Sequence, residues 1–200
     1  MATAGSLGLT EEMLALVARE YGRSARNRLL DWQKLVDDNI SATDQQKLET
    51  VNRFFNRNRF ESDLDHWNKV DYWATPVEFL ATKGGDCEDF AIAKYITLRA
   101  LDVPDSKLRI SYVKALRLNQ AHMVLTYYET PRSVPLVLDN LVNSIQPATQ
   151  RTDLQPVYNF NGDGLWLAKM RGEGQRMGSS QDLDMWRDFV TRLKRERGSE

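Results

Sequence analysis

Apolar residues recur at helical spacing through the first quarter of the chain. Thr10, a residue type that often caps a helix, precedes one apolar set over 13–17, and a second set follows over 29–36. A third begins behind Thr43 and Gln46, which form a capping-box pattern. The spacing therefore predicts an N-terminal part built of helices.

Two further helices are predicted in the centre of the chain. Thr75 before Pro76 is a cap followed by proline at the first helical position. This short helix is expected to end at Gly84–Gly85, where two glycines would let the backbone turn tightly. A longer helix with an apolar face is expected to begin at Asp86, which would cap it.

The pattern changes to alternation after residue 107. Residues 108–113 alternate as in a half-buried strand, and 122–128 and 135–139 predict two more strands. Residues 157–160 and 165–167 predict a hairpin. Helices followed by strands indicate the α+β class, with a helical N-terminal part packed on an antiparallel sheet.

The chain ends are expected to lie outside a single domain. A disordered or cloning-derived N-terminus is predicted over 1–8, one domain over 9–195 and a tail over 196–200. Within the domain, the glycine- and serine-rich stretch 172–182 predicts a loose loop, from which Ser180 would cap a last amphipathic helix.

Composition excludes several classes of protein. The net charge of -1 leaves no basic excess to neutralise a phosphate backbone, which argues against nucleic-acid binding. No stretch approaches the roughly 20 apolar residues of a membrane span. One cysteine and two histidines are present, so thiol chemistry must use Cys87 and an imidazole partner must be His66 or His122.

Cys87 is predicted in the first turn of the central helix. Unpaired backbone N–H groups and the helix dipole favour an anion there, so the pKa of the thiol is expected to lie below about 8.5. The same N–H groups could stabilise the oxyanion of an attacked carbonyl. The alternative is a small, inert, buried side chain at a helix start.

His122 and Asp139 lie at the start and end of two predicted strands. They face each other if the hairpin turn centres between Thr130 and Pro131, and an aspartate so placed would orient the imidazole as in a nucleophile–base–orienter triad. The alternative is a structural histidine beside an ordinary surface aspartate. His66, with no carboxylate across a predicted strand, is expected to be structural or exposed.

The order of these residues resembles a known family. The string Gly-Gly-Asp-Cys-Glu-Asp-Phe-Ala-Ile-Ala-Lys-Tyr over 84–95 is similar to that of the bacterial transglutaminase-like cysteine proteinases, the LapG-type periplasmic proteases. Further matches lie at 71–76, 121–125 and 138–140, and the resemblance extends over about residues 10–195. It implies a papain-like, transglutaminase-like fold and assigns the catalytic roles to Cys87, His122 and Asp139.

The resemblance implies a specific biological activity. Members of this family are calcium-dependent endopeptidases of the periplasm that cut a large surface adhesin near its N-terminus, at a pair of alanines, and so promote biofilm dispersal. An inner-membrane receptor for cyclic di-GMP holds them inactive. The chain shows no export leader, and we expect periplasmic localisation with the leader removed. Two alternatives remain open: acyl transfer to an amine, as in transglutaminases, and an inactive binding module on the same fold.

Calcium also has a local rationale in the sequence. Asp86, Glu88 and Asp89 place carboxylates around Cys87, and calcium prefers such oxygen ligands. Without a cation these charges would raise the pKa of the thiol. The three acids are therefore predicted as metal ligands, the alternative being that they only favour the helix start.

Overall fold

A computed structural model describes residues 7–167 and 174–198 of the chain. The helices are α1 (Glu11–Tyr21), α2 (Arg23–Asn39), α3 (Asp44–Phe55), α4 (Asp63–Trp67), α5 (Pro76–Thr82), α6 (Cys87–Ala100) and α7 (Asp184–Glu196). The strands are β1 (Arg59–Phe60), β2 (Gly84–Gly85), β3 (Leu108–Ala115), β4 (Gln120–Tyr127), β5 (Leu136–Leu138), β6 (Gln146–Pro147), β7 (Leu154–Phe160), β8 (Leu165–Leu167) and β9 (Arg176–Gly178).

The strands of the second half form one antiparallel sheet. Its order is β6-β5-β4-β3-β7-β8-β9, while β1 and β2 form a separate parallel pair. Helix α6 packs against β3 and β4 on one side and against α3 and α5 on the other. The predicted α+β class, a helical part on an antiparallel sheet, is confirmed.

The predicted helix starts depend on local capping, and three of them are confirmed. Thr10 accepts the N–H of Met13, Thr43 and Gln46 form a reciprocal capping box, and Thr75 caps α5 with proline at the first position. Because these bonds join residues only three apart, the sequence alone can specify them. None of the helices within 7–167 and 174–198 is long and apolar enough to cross a lipid bilayer.

The prediction that β3 is half-buried is wrong. Leu108 and Ile110 pack in the main core, as expected, but Val113 on the other face is also buried. It packs with Val124 and Val137 in a second, smaller apolar cluster. That cluster covers the outer face of the sheet, which alternation in one strand could not indicate.

Several element boundaries also differ from the predictions. The stretch predicted as a loose loop contains β9, although residues 172 and 173 of it lie outside the described part of the chain. Ser180 opens a 3-10 turn, Ser180–Asp182, and α7 starts at Asp184 instead. At the two ends of the described chain, Leu7 is buried in the core and Glu196 is the last residue of α7.

Candidate active site

Cys87 is the first residue of α6, as predicted. Asp86 occupies the N-cap position in an extended conformation, and the N–H of Phe90 donates to its carbonyl. The half-buried thiol donates a hydrogen bond to Oε2 of Glu88 at 2.9 Å.

The protein's own groups raise the pKa of the Cys87 thiol, as expected for these carboxylates without a cation, and the lowered pKa of the calcium-bound thiol stays a prediction. Burial raises the pKa of Cys87, and the charge and hydrogen bond of Glu88 raise it further. Only the backbone N–H of Met123 acts in the opposite direction. Desolvation and the neighbouring carboxylates outweigh the helix dipole, because the dipole carries only about half a charge at the helix end.

The glycines before Cys87 serve close packing and not a tight turn. The turn after α5 is made by Lys83, which adopts the left-handed conformation with φ 66°. Gly84 and Gly85 are extended and pair with Arg59 and Phe60. A Cβ atom on Gly85 would lie 2.2 Å from a carboxylate oxygen of Asp89, so glycine here allows that carboxylate to approach the backbone.

His122 and Asp139 come together, but not through the predicted register. The β-turn between β4 and β5 spans Thr130–Ser133, so its centre lies one residue later than expected. Leu125 pairs with Leu138, and His122 is consequently a diagonal neighbour of Asp139 instead of facing it. A shift of two residues keeps both side chains on the same face of the sheet. Nε2 of His122 and Oδ1 of Asp139 are 2.8 Å apart.

Asp139 is a buried carboxylate held by several donors. Besides His122, the N–H of Leu141 donates to Oδ1 at 3.0 Å, and Nη2 of Arg151 donates to Oδ2 at 2.7 Å. Burial raises the pKa of Asp139, but the hydrogen bond with His122, followed by the charge of His122 and the bonds from Leu141 and Arg151, lowers it to about 2. The carboxylate is therefore ionised at neutral pH.

The sequence analysis missed Arg151 and Lys94, which both lie near Asp139. Arg151 follows a short 3-10 turn, Ala148–Gln150, and nothing in its sequence context points back across the sheet. Lys94, on α6, is fully buried and its Nζ has no hydrogen-bond partner. Burial lowers the pKa of Lys94 to about 7, against the opposing influence of Asp139. A single lysine inside a helical apolar pattern gave no signal of this environment.

Three carboxylates meet beside the start of α6. Oxygen atoms of Asp63, Asp86 and Asp89 lie within 4.8 Å of one another. Oδ1 of Asp63 and Oδ1 of Asp86 are buried without a hydrogen-bond partner. Burial and the neighbouring carboxylates raise the pKa of Asp63 to about 6 and that of Asp86 to about 10, and raise that of Asp89 as well. Hard oxygen donors with unsatisfied lone pairs are a set that suits calcium.

The metal-ligand prediction included two of these three residues. Asp63, which the sequence analysis missed, comes from α4, and only the fold brings it to α6. Glu88 lies at the edge of the cluster. Its side chain accepts a hydrogen bond from the thiol of Cys87 and also interacts with Asp86. The cluster therefore touches the predicted nucleophile through one carboxylate.

His66 is not the histidine bonded to Asp139, and it lies on α4 close to Asp63. Its Nδ1 forms an ion pair with Glu61, and its ring packs edge-on against Trp67. The carboxylate partner of His66 is therefore Glu61, five residues earlier in the chain, and not a residue on a neighbouring strand.

Cys87 lies on α6, which packs against β4, the strand that carries His122. In the described part of the chain no hydrogen bond joins Cys87 and His122, and the thiol donates to Glu88. The N–H of Met123, the residue after His122, nevertheless lies close enough to lower the pKa of the thiol. The fold thus places the only thiol beside the strand residue that follows the histidine of a His–Asp pair.

Comparisons with known proteins agree with this architecture. A profile of the bacterial transglutaminase-like cysteine proteinases (BTLCP) matches residues 29–158. The structure of LapG from Legionella pneumophila is 45% identical and superposes with a TM-score of 0.80, over 92% of this chain and 96% of that one. Two further structures of that protein, one EGTA-treated and one calcium-bound, are each 46% identical over 92% of this chain, with TM-scores of 0.80 and 0.78; they are covered over 96% and 99% of their own lengths. No curated protein matched. The chain belongs to the bacterial transglutaminase-like cysteine proteinase family.

Proposed function

We propose that this protein is a calcium-dependent cysteine endopeptidase with Cys87 as nucleophile, His122 as general base and Asp139 as the residue that orients it. One observation carries the proposal: the single thiol opens α6 beside β4, and β4 bears a histidine bonded to a buried, ionised aspartate. A cysteine, a base and an orienting acid in this order are what nucleophilic acyl transfer requires.

The His122–Asp139 bond assigns the two ring nitrogens. Asp139 accepts from Nε2, so that nitrogen carries the proton and Nδ1 is free to exchange a proton with Cys87. Transfer of the thiol proton to Nδ1 gives a thiolate and an imidazolium. The negative charge of Asp139 stabilises the imidazolium without taking its proton.

The thiolate then attacks the carbonyl carbon of a peptide bond. The resulting oxyanion can accept hydrogen bonds from backbone N–H groups at the start of α6, which have no partner within the helix. The C–N bond breaks as His122 returns its proton to the leaving amine, which leaves a thioester on Cys87. Water, deprotonated by His122, hydrolyses the thioester and restores the thiol.

We propose that Asp63, Asp86 and Asp89 hold calcium, with Glu88 available at the edge of the site. Their clustered oxygens, raised pKa values and buried unpartnered atoms support this assignment. When bound, the cation supplies positive charge that offsets the carboxylates raising the pKa of Cys87. The calcium-bound relative supports the choice of metal.

The substrate and setting follow from the family resemblance. We propose that the protein acts in the periplasm on the N-terminal region of a large surface adhesin, at an Ala-Ala bond, and so releases the adhesin and promotes biofilm dispersal. An inner-membrane receptor that responds to cyclic di-GMP would hold the protease inactive by binding it. The similarity to LapG over 92% of the chain supports this set of proposals.

The test is incubation with an N-terminal adhesin fragment that contains an Ala-Ala bond, with calcium or with chelator. Mass spectrometry should find new termini at that bond in calcium and none in chelator, and Cys87→Ala should yield none in either. A parallel reaction with a glutamine donor and a labelled amine detects acyl transfer. Amine incorporation without cleavage would contradict the endopeptidase proposal, as would cleavage by Cys87→Ala.

A further inference from the structure

The guanidinium of Arg151 is built into the side of the sheet behind Asp139. Its side chain is 3% exposed and donates from Nη2 to Oδ2 of Asp139 at 2.7 Å. The other carboxylate oxygen, Oδ1, is the one that contacts His122. The two oxygens of Asp139 are thus divided between an arginine and a histidine.

Asp153 fixes Arg151 from the outside. Nε and Nη2 of Arg151 donate to its two carboxylate oxygens at 2.9 and 2.8 Å. The carbonyl of Asp153 in turn accepts the N–H of Leu116, which joins this segment to the turn after β3. This two-point contact sets the plane of the guanidinium, and the carboxylate of Asp153 offsets much of its charge.

The charge balance determines what Arg151 does to His122. An isolated buried cation would repel an imidazolium and oppose thiolate formation. Because Asp153 offsets that cation, Arg151 acts on His122 mainly through the direction of the Asp139 carboxylate. A charge-assisted bond at Oδ2 prevents the carboxylate from rotating away from the ring.

We propose that Arg151 is a positioning residue of the hydrolytic site: it holds Asp139 with Oδ1 toward His122 and so maintains the base that activates Cys87. The inference rests on the proposed function, since it assigns Arg151 to the same triad. Within the described residues, the side-chain hydrogen bonds of Arg151 go to Asp139 and Asp153 and none goes to Cys87 or His122, so Arg151 acts through Asp139.

The test measures the alkylation rate of Cys87 by iodoacetamide in calcium-containing buffer at neutral pH. This probe reports thiol activation whether or not a peptide is cleaved, and Cys87 is the only thiol. Arg151→Met should lower the rate about 10- to 100-fold, the range expected for a hydrogen bond to a charged group. In an Asp139→Asn background the same substitution should change the rate less than about twofold, because residues that act through one another are not additive.

A matched control separates positioning from general destabilisation. Arg28 is a half-buried arginine, which donates to the carbonyls of Leu80 and Ala81 at 2.5 and 2.6 Å. Arg28→Met should leave the alkylation rate unchanged in both backgrounds, even where it lowers the melting temperature. Arg151→Lys, which keeps the charge but loses the fork, should retain more activity than Arg151→Met and serves if the latter does not fold.

The inference would be overturned if Arg151→Met lowered the alkylation rate by the same factor in the wild-type and Asp139→Asn backgrounds. An unchanged alkylation rate in Arg151→Met alone would also overturn it. The proposed function fails separately, if the wild-type protein alkylates rapidly but cleaves no peptide. With a cleavable peptide, Arg151→Met should lower kcat and leave KM nearly unchanged, because the buried arginine lies behind Asp139 and away from the substrate.

Discussion

The two sides of the site handle buried charge in opposite ways. On the side of β4, Asp139 has His122 and Arg151 as partners, and its pKa is lowered to about 2. On the side of α4 and α6, Asp63 and Asp86 face other carboxylates, and their pKa values rise to about 6 and about 10.

The difference shows which half is complete within the chain. A carboxylate with such partners is stable as an anion, so Asp139 needs no metal ion. Clustered carboxylates without a cation are costly to bury, so the cysteine side gains most from a bound metal. Within the acidic side, Glu88 connects the carboxylate cluster to the nucleophile, because it interacts with Asp86 and accepts a hydrogen bond from the thiol of Cys87.

The largest effects are expected from losing either half of the chemistry. Cys87→Ala and His122→Ala should each reduce peptide cleavage to the background rate, because one removes the nucleophile and the other its base. His66→Ala is the matched control, since His66 pairs with Glu61 and not with Asp139, and it should retain nearly full turnover. Residual cleavage by Cys87→Ala would show that another group is the nucleophile.

Calcium should stabilise the acidic side by a measurable amount. At a hundredfold excess over its dissociation constant the ion should add about 2.7 kcal/mol to the free energy of unfolding. Asp63→Asn should abolish that gain, whereas Asp65→Asn, on the exposed face of the same helix, should keep it. Thermal melts in calcium and in chelator provide the measurement; equal calcium-dependent shifts in both variants would remove Asp63 from the site.

Neutralising Glu88 should lower the thiol pKa where no calcium is present. Glu88→Gln removes a charge that raises the pKa of Cys87, so more thiolate should form at neutral pH. Iodoacetamide alkylation in chelator should therefore be several-fold faster in the variant than in the wild type, with Glu49→Gln on α3 as the unchanged control. A slower reaction would mean that Glu88 activates the thiol instead of restraining it.

The last prediction concerns Lys94, which should affect the pH dependence of stability instead of the chemistry. Its folded pKa of about 7 lies below the unfolded value of about 10.4, so the unfolded state binds more protons between these pH values. This group's contribution to stability should rise with pH across that window and be lost as pH falls toward 7. Lys94→Met should flatten the rise and raise the melting temperature at pH 7. Chemical unfolding at pH 7 and pH 9.5 tests both, and an unchanged slope would contradict the buried, unpaired state of Lys94.

The sequence by itself determined the parts that depend on neighbours along the chain. The caps at Thr10, Thr43 and Thr75 join residues three apart, and Cys87 follows its cap directly, so local spacing placed them. The small number of candidate residues also limited the choice. With one thiol and two histidines, only two cysteine–histidine pairs were possible.

Only the tertiary structure decided which charges meet. Asp63 joins Asp86 across 23 positions and Arg151 reaches Asp139 across 12, and neither pairing leaves a periodic trace in the sequence. The strong desolvation of the Cys87 thiol was missed for the same reason, because the helix dipole and the adjacent carboxylates can be inferred locally whereas burial cannot. The His122–Asp139 contact forms although the predicted register was wrong. The face of the sheet to which each side chain points follows from the alternation along its own strand, whereas the exact pairing is set by the turn and by packing across the sheet.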